Sequence, residues 1–354
     1  MALQPAGRFF RLRLFCACVV LTGSLSSAGD AQPSAIPGSD VYGFDRYRVY
    51  LADRARREGI SEPVASQVLG LRLNDRAIAL DRAQQPGPAT VTRSPALMPY
   101  VRRHVTPTLI WRGQALYHSR WPQLVAIEAR HGVDPATLLA IFGKETSYGR
   151  VTGNFDILEV LASLAWEGRR RSLFEPEVIA ALKLLDSGVS RSLLRGSYAG
   201  ATGFPQFMPS AVLRLRADGD GDGIADIWGS EPDALASIAA FLGEAGWKRG
   251  LAWGAPARVP PTLDRSAIAR TGDARCNAER RHSREMTIAQ WRTLGVTPVG
   301  RTLPDAEPAS LIEPEGAGET PYLLTRNYRA DLAYNCSNLY AMSVVLLSDA
   351  IARR

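Results

Sequence analysis

The sequence lacks the spacings that usually identify a zinc enzyme. It contains no CxxC or HExxH pattern, and its four histidines are scattered along the chain. Cysteine is scarce, at four residues in 354, but a chain of this length that is 46% apolar can bury a core without disulfide staples. These absences leave a globular protein whose chemistry must come from other side chains.

A long apolar run is also missing. Three arginines within the first 13 residues precede a short apolar run, Leu14–Leu21, and small residues follow it. This order is typical of a cleaved signal peptide, and the run is well short of the roughly 20 residues that span a bilayer. No small-residue box precedes Cys16 or Cys18, as a lipoprotein would need. We therefore predict a signal peptide over residues 1–31 and an exported mature chain without a transmembrane anchor.

The net charge of the chain is +7, and removing residues 1–31 deletes three Arg and one Asp, which leaves +5. A basic exported protein suits an anionic partner such as cell wall, nucleic acid or lipid headgroups. The arginines are scattered, however, and no dense basic run or nucleic-acid motif occurs. We predict no nucleic-acid partner, and a solvated basic surface explains the charge as well as a dedicated patch does.

Two cysteines remain in the mature chain, Cys276 and Cys336. An oxidising compartment permits them to form a disulfide, and closing a loop of this length would stabilise the fold by about 4 kcal/mol in the chain-entropy model. Two independent thiols are the alternative.

Helical periodicity dominates the rest of the chain and is interrupted by one region rich in Pro and Gly. We predict a mainly α (α+β) protein without internal repeats, in which residues 82–95 form a loop or linker. The predicted parts are an N-terminal helical region (32–115), a helical core (116–250), a small β-containing insert (251–325) and a C-terminal helix that completes the core (326–354).

One carboxylate, Glu145, follows an apolar run. Asp134 followed by Pro135 is typical of an N-cap and first helical turn, so we predict that a helix begins there. Leu138 and Ile141 then share one face with Glu145 in the last turn before a glycine. Apolar surroundings and the negative end of the helix dipole both raise a carboxyl pKa, which suits a general acid. The alternative is a carboxylate paired with a neighbouring cation.

Two further segments carry side chains suited to sugars. The segment "GSYAGATGFPQFMPS" combines closely spaced small residues with Ser197 and Gln206, and we predict a tight loop with two polar contacts. The segment "YNCSNLYAM" places Tyr334, Asn335 and Tyr340 around the start of the last helix. Aromatic faces and amide groups are typical of sugar-binding sites, although an ordinary tight turn would also explain the first segment.

The segment "ADGDGDGIADIWGSEPD" resembles a calcium-binding loop. Asp218, Asp220 and Asp222 alternate as at positions 1, 3 and 5 of an EF-hand, and Ile224 would supply a backbone carbonyl. The twelfth position is a glycine where a bidentate Glu belongs, so a later acid, Glu231 or Asp233, must close the site, and we predict Asp233. A solvated acidic loop is the alternative.

Taken in order, "GKETSYGR", the glycine-rich loop, the acidic loop and "YNCSNLYAM" resemble the membrane-bound lytic murein transglycosylase B family. The likeness runs from about Gly43 to the C-terminus. The resemblance implies a lysozyme-like helical catalytic core with an extra N-terminal helical region and a small β-containing insert. It also implies Ca²⁺ as a structural ion, no organic cofactor, and a soluble periplasmic form, because the lipoprotein box is missing.

By this resemblance the substrate is the peptidoglycan glycan strand, and other cell-wall enzymes are candidate partners. The implied reaction cleaves the β-1,4 bond between N-acetylmuramic acid and N-acetylglucosamine and leaves a 1,6-anhydro-muramic acid end. Glu145 matches the catalytic glutamate, and the substrate contacts match Ser197, Gln206, Tyr334, Asn335 and Tyr340.

One carboxylate is enough for this reaction, whereas most glycosidases require two. The substrate's own N-acetyl group and C6 hydroxyl replace the second carboxylate, and no water is consumed. A lysozyme-type hydrolase on the same fold is the nearest alternative, followed by a catalytically silent wall-binding protein and a calcium-regulated adaptor.

Overall fold

The computed structural model describes residues 41–84, 95–316 and 318–353. The predicted signal peptide and most of the predicted 82–95 loop therefore lie outside the described residues. Within these ranges, every helix is too short or too polar to cross a lipid bilayer.

Helices make up most of the described chain, and short 3-10 turns lie at Ser66–Gly70 and Asn277–Arg281. The helices of the first half are α1 (Val41–Arg57), α2 (Glu62–Ala65), α3 (Asp75–Ala83), α4 (Leu97–His104), α5 (Pro107–Ser119), α6 (Trp121–His131) and α7 (Pro135–Thr146). Those of the second half are α8 (Ile157–Glu167), α9 (Arg171–Asp186), α10 (Pro209–Leu215), α11 (Glu231–Glu244), α12 (Ile288–Thr293), α13 (Arg326–Tyr334) and α14 (Asn338–Ala352). The predicted mainly α-helical fold is confirmed.

The strands form two small antiparallel sheets. A two-stranded sheet pairs β1 (Phe155–Asp156) with β2 (Arg195–Gly196), and it brings Phe155 opposite Gly196. A five-stranded sheet has the order β4-β6-β7-β3-β5. Its members are β3 (Gly254–Arg258), β4 (Met286–Thr287), β5 (Thr297–Pro298), β6 (Pro308–Ile312) and β7 (Tyr322–Leu324). All strands of this sheet fall within the range predicted for the insert.

Buried side chains form one large helical core and two smaller clusters. The large core joins residues from both ends of the chain, including Phe44 on α1, Phe142 on α7 and Leu347 on α14. The N-terminal helices thus share a core with the central helices and do not form a separate body. A second cluster, centred on Trp291, fills the space around the five-stranded sheet. A third cluster packs the sheet against α4, α13 and α14 through residues such as Trp253.

The C-terminal part contains two helices with an extended break between them. Asn335 is the C-cap of α13 and Ser337 is the N-cap of α14, and both have extended backbone angles. The Ser337 hydroxyl accepts a hydrogen bond from the Tyr340 N–H, which is the usual way to begin a helix. Cys336, between them, forms a disulfide with Cys276. This break turns the chain beside Glu145.

Candidate active site

A cavity of about 390 Å³ opens above the end of α7, and Glu145 lies in its wall. Helices α4 and α5 contribute one side of the cavity, the end of α7 the floor, and the break between α13 and α14 the opposite side. Among the described residues that line the cavity, Glu145 is the one acid. These residues are Tyr100, His104, Thr106, Leu109, Gly143, Lys144, Glu145, Thr146, Ser147, Val151, Asn335, Ser337, Leu339 and Tyr340.

Local sequence signals place Glu145 at the end of α7. The predicted helix start is confirmed, because the Asp134 side chain accepts a hydrogen bond from the Thr137 N–H at 2.9 Å and Pro135 occupies the first turn. Leu138 and Ile141 are fully buried, as the periodicity predicts. Glu145 itself is only half-buried, since the last turn of the helix reaches the cavity. The carboxylate therefore has apolar packing behind it and open space in front.

A left-handed turn follows Glu145. Ser147 and Tyr148 have φ values of 53° and 61°, and Gly149 continues with 77°. Non-glycine residues in this region cost of order 1–3 kcal/mol, and they persist only where the surroundings fix them. The turn ends α7 abruptly, so the helix end lies open to the cavity.

Tyr148 is the side chain that fixes this turn. Its ring lies in a slot that two glycines leave open: an added Cβ would lie 2.6 Å from the ring at Gly143 and 2.5 Å from the hydroxyl oxygen at Gly113. The Tyr148 hydroxyl donates a hydrogen bond to the Leu109 carbonyl at 2.8 Å. The floor of the site is thus positioned by close steric packing between α5 and α7.

Tyr340 holds the carboxylate from the opposite side. Its hydroxyl donates to Glu145 Oε1 at 2.6 Å, although the two residues are 195 positions apart in sequence. Tyr340 is 5% exposed and Asn335 7% exposed, and both line the cavity. The structure therefore brings together three of the predicted site residues, Glu145, Asn335 and Tyr340.

Tyr334 does not line the cavity. It is fully buried, its ring is stacked parallel to that of Tyr340 with centroids 6.4 Å apart, and its hydroxyl donates to the Pro205 carbonyl at 2.6 Å. Tyr334 is the last residue of α13, and its ring packs in the core against Phe207 and Phe241. Tyr334 supports the glycine-rich loop and the ring of Tyr340.

Ser197 and Gln206 also lie outside the residues that line the cavity. The Ser197 hydroxyl accepts from the Ala201 N–H at 3.1 Å, and the Gln206 side-chain amide donates to the Thr152 carbonyl at 3.1 Å. Gln206 has a positive φ of 52°. The loop contacts α7 through the Thr146 hydroxyl, which donates to the Phe204 carbonyl at 3.3 Å. These side chains shape the loop that packs behind the carboxylate.

The wall that α4 and α5 contribute was not predicted from the sequence. The rings of Tyr100 and His104 are stacked with centroids 3.8 Å apart and an interplanar angle of 20°, and both line the cavity. His104 Nδ1 lies 2.8 Å from the Tyr100 carbonyl oxygen. Two aromatic residues at i and i+4 on a helix are a detectable pattern, but nothing in the local sequence indicates which cavity they face.

The acidic loop lies beside the glycine-rich loop. Carboxylate oxygens of Asp218, Asp220 and Asp222 lie within 4.8 Å of one another. Backbone N–H groups of Gly223 and Gly221 hydrogen-bond to Asp218 and lower the pKa of its carboxyl. Ile224 is 64% exposed, and its N–H donates to Asp222 at 2.7 Å. Three converging carboxylates on such a turn fit a hard cation that prefers oxygen ligands.

Asp233 does not join this group of carboxylates. It is 1% exposed at the start of α11, and its two oxygens accept the backbone N–H groups of Gly219 and Asp226, each at 2.7 Å. These two donors lie at the two ends of the loop. Asp233 therefore closes the loop from behind, a role that the EF-hand pattern did not indicate.

Polar contacts and the disulfide fix the wall near Tyr340. Asn338, the first residue of α14, accepts hydrogen bonds from the Tyr328 hydroxyl at 3.0 Å and, through the same oxygen, pairs with His282 Nε2 at 2.8 Å. Its amide nitrogen donates to the Ala278 carbonyl at 2.8 Å. The Cys276–Cys336 disulfide joins the same two segments with a Cα–Cα distance of 5.9 Å. Contacts with residues 276–282 thus fix the position of the wall that Asn335 and Tyr340 form.

A model of the transglycosylase SLT domain family matches residues 43–349 of the chain. The sequence is 29% identical over 336 residues to membrane-bound lytic murein transglycosylase B of Escherichia coli K12, which covers 93% of this chain and 84% of the relative.

Solved structures are also similar to this chain. The structure of SltB3 from Pseudomonas aeruginosa in complex with NAG-anhNAM-pentapeptide is similar with a TM-score of 0.75 and 34% identity, covering 87% of this chain and 79% of that one. Escherichia coli Slt35 in complex with calcium is similar with a TM-score of 0.69 and 26% identity, covering 88% of this chain and 92% of that one.

Proposed function

The chain belongs to the transglycosylase SLT domain family, and we infer that it is a lytic murein transglycosylase that uses Glu145 as its acid and base. Its substrate is peptidoglycan, which agrees with the muropeptide fragment bound to the related SltB3. The expected β-1,4 cleavage between N-acetylmuramic acid and N-acetylglucosamine belongs to this proposal.

The main support for this proposal is that Glu145 is the one acid among the described residues that line its cavity. Hydrolysis by the usual glycosidase routes needs a second carboxylate, as base or as nucleophile, about 5 to 9.5 Å from the first. With one acid, the substrate itself must supply the nucleophile. An intramolecular attack by the muramyl C6 hydroxyl meets this requirement.

The proposed reaction has two proton transfers through one carboxyl group. Protonated Glu145 donates its proton to the glycosidic oxygen, the bond from that oxygen to the muramyl C1 breaks, and the N-acetylglucosamine side leaves with a hydroxyl. The substrate N-acetyl group stabilises the positive charge at C1. The C6 oxygen then bonds to C1 and its proton passes to the Glu145 carboxylate, which restores the acid without water.

We propose that the neighbouring residues position the Glu145 carboxylate and the bound sugar. The Tyr340 hydroxyl fixes the orientation of Glu145 through the 2.6 Å hydrogen bond, and Asn335 presents an amide to the bound sugar. The stacked Tyr100 and His104 rings offer an aromatic surface on the facing wall. Tyr334, Ser197 and Gln206 act indirectly, because their polar groups bond main-chain atoms of the supporting loops.

The test is mass spectrometry of the muropeptides released from purified peptidoglycan, with Glu145→Gln compared with Glu244→Gln. Glu244 is a matched control because it is an exposed carboxylate at the end of α11. We expect anhydro-muramic acid ends from the parent and the control, and at least about a thousandfold less product from Glu145→Gln.

Two outcomes contradict this assignment. Products with reducing ends, heavier by one water, identify a muramidase that uses water as nucleophile. Unchanged release by Glu145→Gln removes Glu145 from the chemistry.

We also propose that the acidic loop binds one Ca²⁺ through Asp218, Asp220, Asp222 and the Ile224 carbonyl. The convergence of the three carboxylates supports this, as does the calcium complex of the related Slt35. Calcium neutralises their mutual repulsion and stabilises the folded loop, so its role is structural. Asp233 then keeps both ends of the loop in place behind the ion.

Calorimetry and thermal unfolding with and without calcium test this site, with Asp220→Asn compared with the exposed Asp273→Asn. Calcium at a hundred times its dissociation constant should stabilise the parent by about 2.7 kcal/mol. Asp220→Asn should lose most of this gain and Asp273→Asn none. An unfolding temperature of the parent that calcium does not change contradicts the proposal.

We place the protein in the periplasm. The disulfide supports this location, because such bonds persist in oxidising compartments. Fractionation of expressing cells, with N-terminal sequencing of the mature chain, tests both the location and the predicted cleavage after residue 31.

A further inference from the structure

A second cavity, of about 690 Å³, lies between α1 and the start of α9. It shares no residue with the cavity of Glu145, since its lining comes from residues 47–54 and 168–176. Three arginines and one carboxylate are among its described lining residues. Arg54 pairs with that carboxylate and Arg169 pairs with Asp81, so Arg171 gives the cavity its remaining positive charge. No residue of this cavity takes part in the proposed reaction at Glu145.

One side of the cavity presents tyrosine rings. Tyr47 and Tyr50 are stacked with centroids 5.7 Å apart, and Tyr50 is 43% exposed. Both hydroxyls donate to the buried Glu175 carboxylate, at 2.8 and 2.7 Å, and Arg54 pairs with the same group. Burial opposes ionisation of Glu175, but these hydrogen bonds together hold the pKa of its carboxyl below the ordinary value. The two rings are therefore held in fixed positions, with Tyr47 buried and Tyr50 partly exposed to solvent.

The other side presents exposed guanidinium groups. Arg171 lies 5.2 Å from the centroid of the Tyr47 ring, and it donates to the carbonyls of Ala165 and Trp166 at the end of α8. Among the described residues it forms no salt bridge with a carboxylate. Its positive charge remains available to an anionic ligand.

A proline in α9 adds an acceptor to the cavity. Pro176 has no N–H, so it cannot donate the helical hydrogen bond to the carbonyl of Ser172, and both residues line the cavity. The Ser172 carbonyl can accept from a ligand hydroxyl or amide group. An aromatic face, a cationic donor and a carbonyl that lacks its helical donor suit a sugar that carries amide and carboxylate groups.

We propose that this cavity is an accessory binding site for a peptidoglycan strand, which holds the enzyme on the insoluble wall while Glu145 acts elsewhere. This inference rests on the proposed function, because it takes its ligand class from the substrate. A ring of the glycan packs on Tyr50, and a carboxylate of a stem peptide pairs with Arg171. The positive charge of the site matches the anionic peptides of the wall.

The test measures cosedimentation of the full chain with purified insoluble peptidoglycan, in the Glu145→Gln background so that the wall stays intact. Tyr50→Ala removes the ring, Tyr50→Phe keeps it, and Val49→Ala is the matched control because Val49 is its exposed neighbour on α1. We expect Tyr50→Ala to weaken binding about fivefold or more, as loss of one aromatic contact implies, and the other two variants to stay within about twofold of the parent.

A parallel assay uses chains that retain Glu145 and a short soluble glycan–peptide, which engages one site at a time. Tyr50→Ala should keep parental turnover here and lose turnover only on the insoluble wall. Equal binding by Tyr50→Ala and Val49→Ala overturns the accessory site while the enzyme assignment stands. Absence of anhydro products from the parent chain overturns the proposed function, and the accessory site fails with it.

Discussion

The two sides of the Glu145 cavity are positioned in different ways. On the floor, the turn after Glu145 is fixed by the Tyr148 ring in its slot between glycines. Its position therefore depends on the volume of the side chains around that ring. On the opposite wall, Asn335 and Tyr340 depend on a disulfide and on hydrogen bonds to Asn338. Redox conditions and pH should therefore act on the wall, whereas changes in side-chain size should act on the floor.

The largest effect should come from removing the disulfide. Replacing both Cys276 and Cys336 by Ser should lower the free energy of unfolding by up to about 4 kcal/mol, because a 60-residue separation is no longer closed in the unfolded chain. Turnover should fall as well, since Cys336 lies between Asn335 and Ser337. Denaturant unfolding and turnover measure the two effects. Reductant should reproduce them in the parent and leave the double variant unchanged; a double variant with parental stability contradicts this account of the wall.

The wall should also respond to acid through His282. Burial lowers the pKa of this imidazole to about 4, although its hydrogen bond to Asn338 acts in the opposite direction. Between pH 6.5 and 4 the unfolded chain binds a proton that the folded chain does not, so stability is full above pH 6.5 and falls by about 3 kcal/mol as pH drops to 4.

His282→Gln removes this titration and should flatten the pH dependence of the unfolding free energy over that interval. The exposed His118 has no comparable burial, so His118→Gln is the control. Equal slopes for His282→Gln and the parent would show that other groups dominate acid unfolding.

On the floor, Gly143→Ala should destabilise by about 1–3 kcal/mol, because its new methyl group overlaps the Tyr148 ring. It should also reduce turnover at least about tenfold, since the turn that orients Glu145 must shift. Gly243→Ala is a close control: it too lies within a helix, and an added Cβ there meets nothing within 4 Å. Thermal unfolding and turnover measure the two effects. Equal unfolding temperatures and equal turnover for the two variants would contradict the steric explanation.

The smallest effect should come from a buried carboxylate on α13, the helix that leads into the wall. Asp331 on α13 is fully buried, and its carboxylate oxygens find no hydrogen-bond partner among the described residues. Burial raises the pKa of this carboxyl, and the nearby Asp134, which begins α7, raises it further. The unfolded chain loses its proton more readily, so the contribution of this group to stability is present below about pH 4 and declines as pH rises.

Asp331→Asn should therefore stabilise the protein by about 1 kcal/mol at pH 7 and change it little at pH 4. Urea midpoints at the two pH values measure the difference. A larger gain at pH 4 than at pH 7 would contradict the raised pKa.

The sequence predicted the parts of the site that depend on local signals. The capping pair Asp134–Pro135 and the spacing of Leu138, Ile141 and Glu145 follow from helix geometry, and the structure contains them. The alternating acids at 218, 220 and 222 also lie together as their spacing predicts.

The parts that were missed depend on distant residues. The position of the Tyr148 ring requires glycines at 113 and 143, and the residues around 148 do not indicate that the fold brings Gly113 to this place. Tyr334 and Tyr340 looked equivalent in sequence, but the break between α13 and α14 sends one ring to the core and the other to the cavity. Tyr100 and His104 reach the site only because α4 packs against the C-terminal helices.

The hydrogen bond between Tyr340 and Glu145 has a consequence for synthesis and folding. Its two partners are separated by 195 residues, so the contact forms only after synthesis has reached Tyr340. A chain that is interrupted before α14 carries the acid but not the group that orients it.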